Sequence, residues 1–268
     1  MIYDEIVSGR ESFEQRLSND LRRGIENKEF AVYYQPKYSI AGDTPKIVSA
    51  EALVRWAHPE FGLVMPSDFI PLFERNGQIT QLDKYVWSQA AEQIVKWKKE
   101  YGVTIPVSVN VSRVDVFDSE LENTLKAIID SNGLDYSNLT LEITESAYAE
   151  NTEQLVRVMD NLRRIGFKIE MDDFGSGYSS LNMLSTLEVD VVKMDREFIL
   201  NIESEEKSVH LVELIIDIAK DINVPVIAEG VENENQLKLL KELGCTLVQG
   251  YYFSRPLPAD DFSNKFLK

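Results

Sequence analysis

The chain has 268 residues, of which 44% are hydrophobic and 27% are charged, and this balance is typical of a globular protein with one sizeable core. The formal net charge of −17 and the isoelectric point of about 4.6 argue against an extended positive groove for nucleic acid. Cys245 is the single cysteine, which excludes an internal disulfide framework, and the sequence shows neither a signal peptide nor an apolar run approaching the ~18 residues of a membrane span.

The first predicted element is an amphipathic helix, because apolar residues recur at helical spacing between positions 11 and 27. Short apolar runs then alternate with longer amphipathic segments, several of which end in Gly or Asn. Eight such runs give the strand count of a (β/α)8 barrel. The first two are joined by residues 39–46 only, too few for a crossover helix, so this pair is predicted to be antiparallel. The predicted strands are 30–36, 47–55, 106–112, 139–144, 167–173, 189–195, 224–229 and 247–253.

Polar and apolar residues alternate along these strands, as in VSVNVS at 107–112 and LTLEIT at 139–144. One face of each strand would then lie under the helices and the other would point into the barrel. The polar residues fall near the C-terminal halves of the strands, and enzymes with this fold work at that rim. Side chains predicted to converge there are Gln35, Glu51, Arg55, Asn110, Glu142, Lys193, Glu229 and Gln249.

Five carboxylates would meet at this rim, among them the adjacent pair Asp172 and Asp173. Two carboxylates ~4 Å apart repel by roughly 4 kcal/mol, so the group must take up protons, pair with basic residues or bind cations. Arg55 and Lys193 offer only two compensating charges. Oxygen ligands that include the amide of Asn110 suit Mg²⁺ or Mn²⁺. We interpret the aspartate pair as an anchor for two cations, an arrangement suited to displacement at phosphorus.

Eight motifs occur in order along the chain, and together they resemble the EAL-domain family of bacterial cyclic di-GMP phosphodiesterases. The family's signature tripeptide lies in EALVRW at 51–56. The resemblance runs from about residue 12 to the end, and residues 1–11 are expected to be a linker remnant of a larger protein. The other motifs are YYQP (33–36), NVS (110–112), LEITES (141–146), DDFGSGYSSL (172–181), VKMD (192–195), AEGVE (228–232) and QGYYFSRP (249–256).

The resemblance implies a modified TIM-like (β/α)8 barrel with one antiparallel strand. It also implies hydrolysis of cyclic di-GMP to linear pGpG with two Mg²⁺ or Mn²⁺ ions. Ca²⁺ is expected to inhibit, because its coordination shell is larger and looser. Lys193 resembles a catalytic lysine that acts on the attacking water, together with Glu51, Asp172 and Glu229. The implied metal ligands are Glu51, Asn110, Glu142 and Asp172 for one ion, and Asp172, Asp173 and Glu229 for the other.

Further roles follow from the same resemblance. Glu145 would hold a loop, with Gly175, Ser176 and Gly177, that couples metal binding to dimerisation. Glu170 stands where an apolar or small residue is usual, and it either adds negative charge near the ions or faces away. Substrate contacts are implied for Gln35, Arg55, Asp195, Glu232, Gln249, Tyr251 and Pro256.

The expected partners are cyclic di-GMP, a second copy of the chain, and sensory or diguanylate cyclase domains in a full-length protein. Neither a nucleic-acid polymer nor a membrane is an expected partner of this segment. The absence of a signal peptide predicts a cytoplasmic location, although a full-length protein could be anchored elsewhere, and Cys245 is predicted to be a small buried hydrophobic residue.

Other interpretations of the same residues remain open. Degenerate family members bind the nucleotide without hydrolysis, but they usually lack ligands that are present here. A metal-dependent barrel of the enolase type also uses strand-end acids and a lysine, but it would not need Gln35, Gln249 or the glycine-serine loop. Taken singly, Glu51 could pair with Arg55, Asn110 could be an interior amide, and two aspartates before glycine could form a turn.

Overall fold

Eight strands close into a barrel at the centre of the computed structural model. The structure describes residues 2–145, 147, 152–175, 183–184 and 186–268. Two further strands within these residues, of three and two residues, extend the sheet. In chain order the described strands are β1 (Phe30–Ser39), β2 (Lys46–His58), β3 (Gly62–Val64), β4 (Val107–Asn110), β5 (Leu139–Thr144), β6 (Lys168–Phe174), β7 (Val191–Met194), β8 (Val226–Ala228), β9 (Leu247–Val248) and β10 (Leu257–Pro258).

Helices surround the barrel and cover the outer faces of its strands. None of the helices described for this chain combines the length and apolar character needed to cross a bilayer. They are α1 (Ile2–Glu26), α2 (Pro66–Asn76), α3 (Ile79–Tyr101), α4 (Arg113–Val116), α5 (Leu121–Asn132), α6 (Thr152–Ile165), α7 (Arg196–Leu200), α8 (Glu206–Asp221), α9 (Glu234–Glu242) and α10 (Ala259–Phe266).

Strand β1 runs antiparallel to both of its barrel neighbours, β2 and β9. Every other neighbouring pair round the barrel is parallel. This topology confirms the predicted barrel with one antiparallel strand, and the eight predicted strands correspond to the eight strands of the barrel. The short strands β3 and β10 pair with β2 and β1, and the sequence did not predict them because two or three residues show no alternation.

The period-two pattern places apolar side chains outside the barrel and polar ones inside, as predicted. Val107 and Val109 on β4 are fully buried in the core that packs beneath the helices. Between them, Ser108 accepts a hydrogen bond from a lysine inside the barrel. On β5, Glu142 lies inside the barrel between Leu141 and Ile143, which join the same outer core.

Helices α2, α3 and α5 end at glycines, as the sequence predicted for several helices, but α1 begins at Ile2 and not at the predicted position 11. Helix α3 buries Trp87 and Trp97 against the barrel and stops at Gly102, whose φ of 71° lies in the left-handed region that favours glycine. Cys245 is a free, buried thiol, as expected of a small hydrophobic residue. Because all barrel strands except β1 are parallel, their C-terminal ends meet at one mouth.

Candidate active site

The two adjacent aspartates share one end of the barrel because β6 contains a bulge. The pairing of β6 with β7 shifts register between Met171 and Phe174. Asp173 has a φ of 54°, and its backbone N–H donates to Asp172 Oδ1 at 2.9 Å. Neighbouring residues of a regular strand point to opposite faces, and a bulge removes that constraint. The backbone thus brings both carboxylates to the mouth.

Lys193 lies at the centre of the site, on β7, and is only 1% exposed. Its Nζ is 2.7 Å from Glu229 Oε1, 3.0 Å from Asp172 Oδ1, 3.1 Å from Glu142 Oε2 and 3.7 Å from Glu51 Oε2. Burial opposes the charge on this lysine, but the four carboxylates raise its pKa well above the ordinary value. Carboxylates from four strands therefore contact one ammonium group.

The carboxylates of this cluster outnumber the positively charged groups near them. Burial raises the pKa of Glu229 to about 8 and that of Glu51 to about 7, and neighbouring carboxylates add to both shifts. The pKa of Asp173 rises to about 6, first because of burial and then because of Asp172. Glu142 differs, because Lys193 and Lys37 outweigh its burial and hold its pKa well below the usual range.

A second buried lysine, Lys37, lies deeper in the barrel. Its Nζ is 2.6 Å from Glu142 Oε1 and 2.7 Å from Ser108 Oγ, and it also bonds Glu170 Oε2. The charge count made from the sequence included only Arg55 and Lys193, so it was wrong to omit Lys37. The available signal was strand periodicity, because Lys37 lies two residues after the inward-facing Gln35.

The position of Glu170 is resolved by the same contact. The sequence left open whether this residue adds charge near the ions or faces away. Glu170 is buried, points into the barrel and pairs with Lys37. It precedes Asp172 by two residues on β6, so it lies one layer below the acids at the mouth.

Gln35 and Gln249 lie inside the cluster and hydrogen-bond to other protein groups. Gln249 Nε2 donates to Glu51 Oε2 at 2.5 Å and to Gln35 Oε1 at 3.2 Å. Gln35 Nε2 donates in turn to the carbonyl of Ser254. Both glutamines line a cavity of about 220 Å³ that also contacts Glu51 and Glu229. The structure thus brings these predicted substrate contacts beside the acids.

Two other predicted substrate contacts, Glu232 and Tyr251, line the same cavity, and Arg55 lies near Tyr251. Arg55 is half-buried, with its guanidinium 5.8 Å from the ring centroid of Tyr33 and hydrogen-bonded to the Val54 carbonyl. Tyr251 is 47% exposed and lines the cavity beside Glu232, with the guanidinium of Arg255 at 4.2 Å from its ring.

Asp195 and Pro256 occupy element boundaries. Asp195 caps helix α7 by accepting a hydrogen bond from the Glu197 N–H at 2.6 Å, and it neighbours Asp173. Pro256 directly precedes strand β10. Arg196, which no sequence argument selected, follows the capping aspartate and lines the 220 Å³ cavity. An exposed arginine beside an acidic motif shows no periodic pattern, so sequence reasoning could not have selected it.

Asn110 and Glu145 lie at the same rim but on its other side. Asn110 ends β4 level with Glu142 and lines a separate cavity of about 410 Å³. Its carbonyl accepts a hydrogen bond from Trp87 Nε1. Glu145 Oε2 accepts a hydrogen bond from the N–H of Gly175 at 3.2 Å. The predicted loop residues Ser176 and Gly177 lie outside the described residues.

The donor set suits divalent cations, although Lys193 now lies between the acids. Within the described part of the chain, no group of three or more Asp, Glu, His or Cys side chains is already arranged to hold an ion. Glu142 Oε2 and Glu229 Oε1 are fully buried, and the cation beside both of them is Lys193. The donors are oxygens, which Mg²⁺ and Mn²⁺ prefer. These residues therefore fit hard cations, which would have to displace Lys193 from the carboxylates.

The charge balance agrees with that fit. Six carboxyl groups (Glu51, Glu142, Glu170, Asp172, Asp173 and Glu229) share the barrel interior and mouth with Lys37 and Lys193. Full ionisation leaves four negative charges, which is the charge that two divalent cations would neutralise.

Fold and site together define an α/β-barrel domain with a carboxylate-rich centre at the C-terminal ends of its strands. Residues 18–256 match the family model described as EAL domain. The chain belongs to the EAL domain family.

Known relatives extend this result. The chain is 36% identical over 246 residues to the cyclic di-GMP phosphodiesterase PdeR of Escherichia coli. This match covers 92% of this chain and 37% of PdeR. It is 36% identical over 249 residues to the cyclic di-GMP phosphodiesterase NbdA of Pseudomonas aeruginosa, which covers 93% of this chain and 32% of NbdA. The chain thus spans about a third of the length of these curated relatives.

Solved structures share the fold. The structure of the PaMucR phosphodiesterase in complex with c-di-GMP matches with a TM-score of 0.86 and 33% identity, over 92% of this chain and 99% of that one. The EAL enzyme Bd1971, bound to cAMP and cyclic di-GMP, matches with a TM-score of 0.89 and 28% identity, over 98% of this chain and 72% of that one.

Proposed function

We propose that this domain is a divalent-metal-dependent phosphodiesterase that hydrolyses cyclic di-GMP to linear pGpG. The observation that carries the proposal is the convergence of carboxylates from four strands on the buried Lys193. Support comes from the relatives named cyclic di-GMP phosphodiesterases and from the PaMucR structure with c-di-GMP. An acidic protein needs a cationic mediator to bind an anionic diester, and this acid cluster can hold one.

Two divalent cations in this site would lower the pKa of a coordinated water and stabilise charge on the phosphoryl oxygens. The residues that would hold one ion are Glu51, Asn110, Glu142 and Asp172, and those for the other are Asp172, Asp173 and Glu229. The bulge at Asp173 supports this division, because it lets adjacent carboxylates serve different ions from one strand.

The protein's own groups account for binding and orientation. Gln249 donates to Glu51 Oε2 and so fixes the rotamer of that carboxylate. Arg55 offers a half-buried guanidinium to a phosphate at the mouth, since arginine pairs with phosphate through parallel hydrogen bonds. The exposed ring of Tyr251 offers a stacking surface to a guanine base.

Lys193 is the group that we assign to the reacting centre. The four carboxylates around it favour its charged ammonium form and raise its pKa. An ammonium held among carboxylates by 2.7 to 3.7 Å contacts can donate hydrogen bonds to the attacking water or to a developing oxyanion. Burial of the lysine keeps bulk water from competing for those hydrogen bonds.

Chromatography of the products tests this proposal. The protein is incubated with cyclic di-GMP in Mg²⁺, in Mn²⁺ and after metal removal by a chelator, and linear pGpG is expected only with metal. Glu51→Gln should abolish product formation, whereas Glu234→Gln on the exposed face of α9 should leave it unchanged. Intact nucleotide after long incubation, with measurable binding, would identify a receptor in place of an enzyme.

We also propose that the domain works as a homodimer whose assembly is linked to the site through Glu145. The contact between Glu145 and the N–H of Gly175 supports this link, because it ties β5 to the end of β6, which carries Asp172 and Asp173. Glu145→Ala should lower both the dimer fraction in light scattering and the rate of pGpG formation. A full loss of turnover with an unchanged dimer fraction would separate the two effects and reject the link.

A further inference from the structure

Lys37 is the second fully buried cation of the barrel, and its surroundings account for each of its donors. The ammonium group carries three N–H donors. Its partners are Glu142 Oε1 at 2.6 Å, Ser108 Oγ at 2.7 Å, and Glu170 Oε2. The side chain is 0% exposed, so no water replaces any of these bonds. Lys37 is therefore held in one place by three strands.

The contact with Lys37 directs the two carboxylate oxygens of Glu142 toward different layers of the barrel. Its Oε1 faces inward and binds Lys37. Its Oε2 faces the mouth, is fully buried and lies 3.1 Å from Lys193 Nζ. A carboxylate with one oxygen fixed has little freedom to rotate, so the other oxygen is presented to the acid cluster in a set direction.

Glu170 completes the arrangement from the neighbouring strand. It lies level with Glu142 across the β5–β6 pair and contacts the same lysine. Without an acceptor at this position, the ammonium would lose one of its three anchors and could move toward the mouth. Glu170 and Ser108 thus keep Lys37 below the layer in which Asp172 and Lys193 lie.

We propose that Lys37 and Glu170 are positioning residues that orient Glu142, so that its Oε2 is held ready to bind a divalent cation. This inference rests on the proposed function, in which Glu142 is a metal ligand. Both side chains are buried beneath the acids at the mouth. Their effect reaches the reaction only through the carboxylate that they hold, in the way that groups behind a metal ligand fix its direction.

Binding of Mn²⁺ alone, followed by the electron paramagnetic resonance signal of the free ion, tests the inference without measuring turnover. Glu170→Leu removes the acceptor and should weaken Mn²⁺ binding by about 10- to 100-fold. Glu170→Gln keeps an acceptor of the same size and should retain the parent affinity. Equal losses in both variants, or no loss in either, would overturn the inference.

A double variant protects the test against misfolding. Glu170→Leu alone leaves Lys37 with one carboxylate, whereas Lys37→Met with Glu170→Leu removes a buried pair of opposite charges and leaves the net charge of the barrel interior unchanged. We expect the double variant to fold, as judged by circular dichroism, and to lose about 10- to 100-fold in Mn²⁺ affinity. A folded double variant that binds Mn²⁺ like the parent would overturn the inference.

A separate arm distinguishes this inference from the proposed function. Glu51→Gln changes a predicted ligand directly and should nearly abolish Mn²⁺ binding. If Glu51→Gln binds Mn²⁺ normally, the metal site itself is wrong. If Glu51→Gln loses binding while Glu170→Leu and the double variant retain it, only the positioning role of Lys37 and Glu170 is wrong.

Discussion

Lys193 Nζ lies 2.7 Å from Glu229 Oε1, the shortest of four ion pairs that this lysine makes at the mouth of the barrel. The contact joins β7 to the end of β8. A lysine so placed competes with cations for the same carboxylates and also stands beside the position where they would bind. Its removal should therefore affect turnover more than it affects nucleotide binding.

Lys193→Ala should lower the rate of pGpG formation by about 100-fold or more, because a charged hydrogen-bond donor at the reacting centre is lost. The dissociation constant for cyclic di-GMP, measured calorimetrically in Ca²⁺, should change little. Lys96→Ala is the matched control, since Lys96 is an exposed lysine that pairs with Asp260 on the outer surface. A large loss of nucleotide affinity in Lys193→Ala would show that this lysine binds substrate instead.

Divalent cations should stabilise the fold whether or not they support hydrolysis. A cation that binds only the folded form adds about 2.7 kcal/mol to the free energy of unfolding at 100 times its dissociation constant. Mn²⁺ and Ca²⁺ should both raise the melting temperature, and Glu229→Gln should reduce that increase. Product analysis in Ca²⁺ alone should show intact nucleotide, and full turnover in Ca²⁺ would contradict the proposed coordination.

The buried aspartates Asp83 and Asp115 should make the free energy of unfolding depend on pH. Burial first, and then Asp115, raise the pKa of Asp83 well above its ordinary value. Glu74 adds to the shift, and a hydrogen bond from Ser112 opposes it. The stability that the proton on Asp83 contributes is complete below an aspartate's ordinary pKa of about 3.9. It is lost as the pH rises through the raised pKa.

Asp83→Asn supplies a donor to Asp115 without a titrating proton. Urea unfolding at pH 5 and pH 8 should therefore show a smaller loss of stability with pH in this variant than in the parent. Each pH unit between the ordinary and the raised pKa corresponds to about 1.4 kcal/mol. Asp260→Asn, at an exposed aspartate, should follow the parent at both pH values. Parallel pH profiles for Asp83→Asn and the parent would refute the prediction.

Gly175 should tolerate a side chain worse than Gly133 does, although both have a positive φ. Its φ is 95°, and a Cβ atom would lie 2.5 Å from the ring of Phe198. Gly133 has a φ of 61°, but a Cβ there would meet no atom within 4 Å. Gly133→Ala should cost about 1 to 2 kcal/mol of stability from backbone strain alone. Gly175→Ala should cost clearly more in urea unfolding, and equal costs would show that Phe198 moves freely.

Much of the site followed from strand periodicity. The alternation in β4 and β5 correctly placed Ser108 and Glu142 inside the barrel, and the position of the motifs near strand ends correctly placed Lys193 and Glu229 together. Both inferences depend only on which face and which end of a strand a residue occupies. Sequence order contains that information directly.

The remaining features depend on backbone geometry and on partners distant in sequence. Strict alternation would place Asp172 and Asp173 on opposite faces of β6. The amino-acid sequence does not reveal the positive φ of Asp173 that brings both side chains to the mouth. Periodicity alone could have placed Lys37 inside the barrel, but not its pairing with Glu142 and Glu170, which come from strands far along the chain. Gln249 likewise binds Glu51 across 198 positions, a pairing that only the closed barrel creates.

The reversed direction of β1 separates the catalytic mouth from the tight turn that follows this strand. Residues 41–44 are exposed and lie beyond Ser39 and Lys46, which pair at the opposite end of the barrel from Glu51. A fluorophore, a surface tether or an inserted reporter domain attached at this turn would therefore leave diffusion of a nucleotide into the mouth unobstructed.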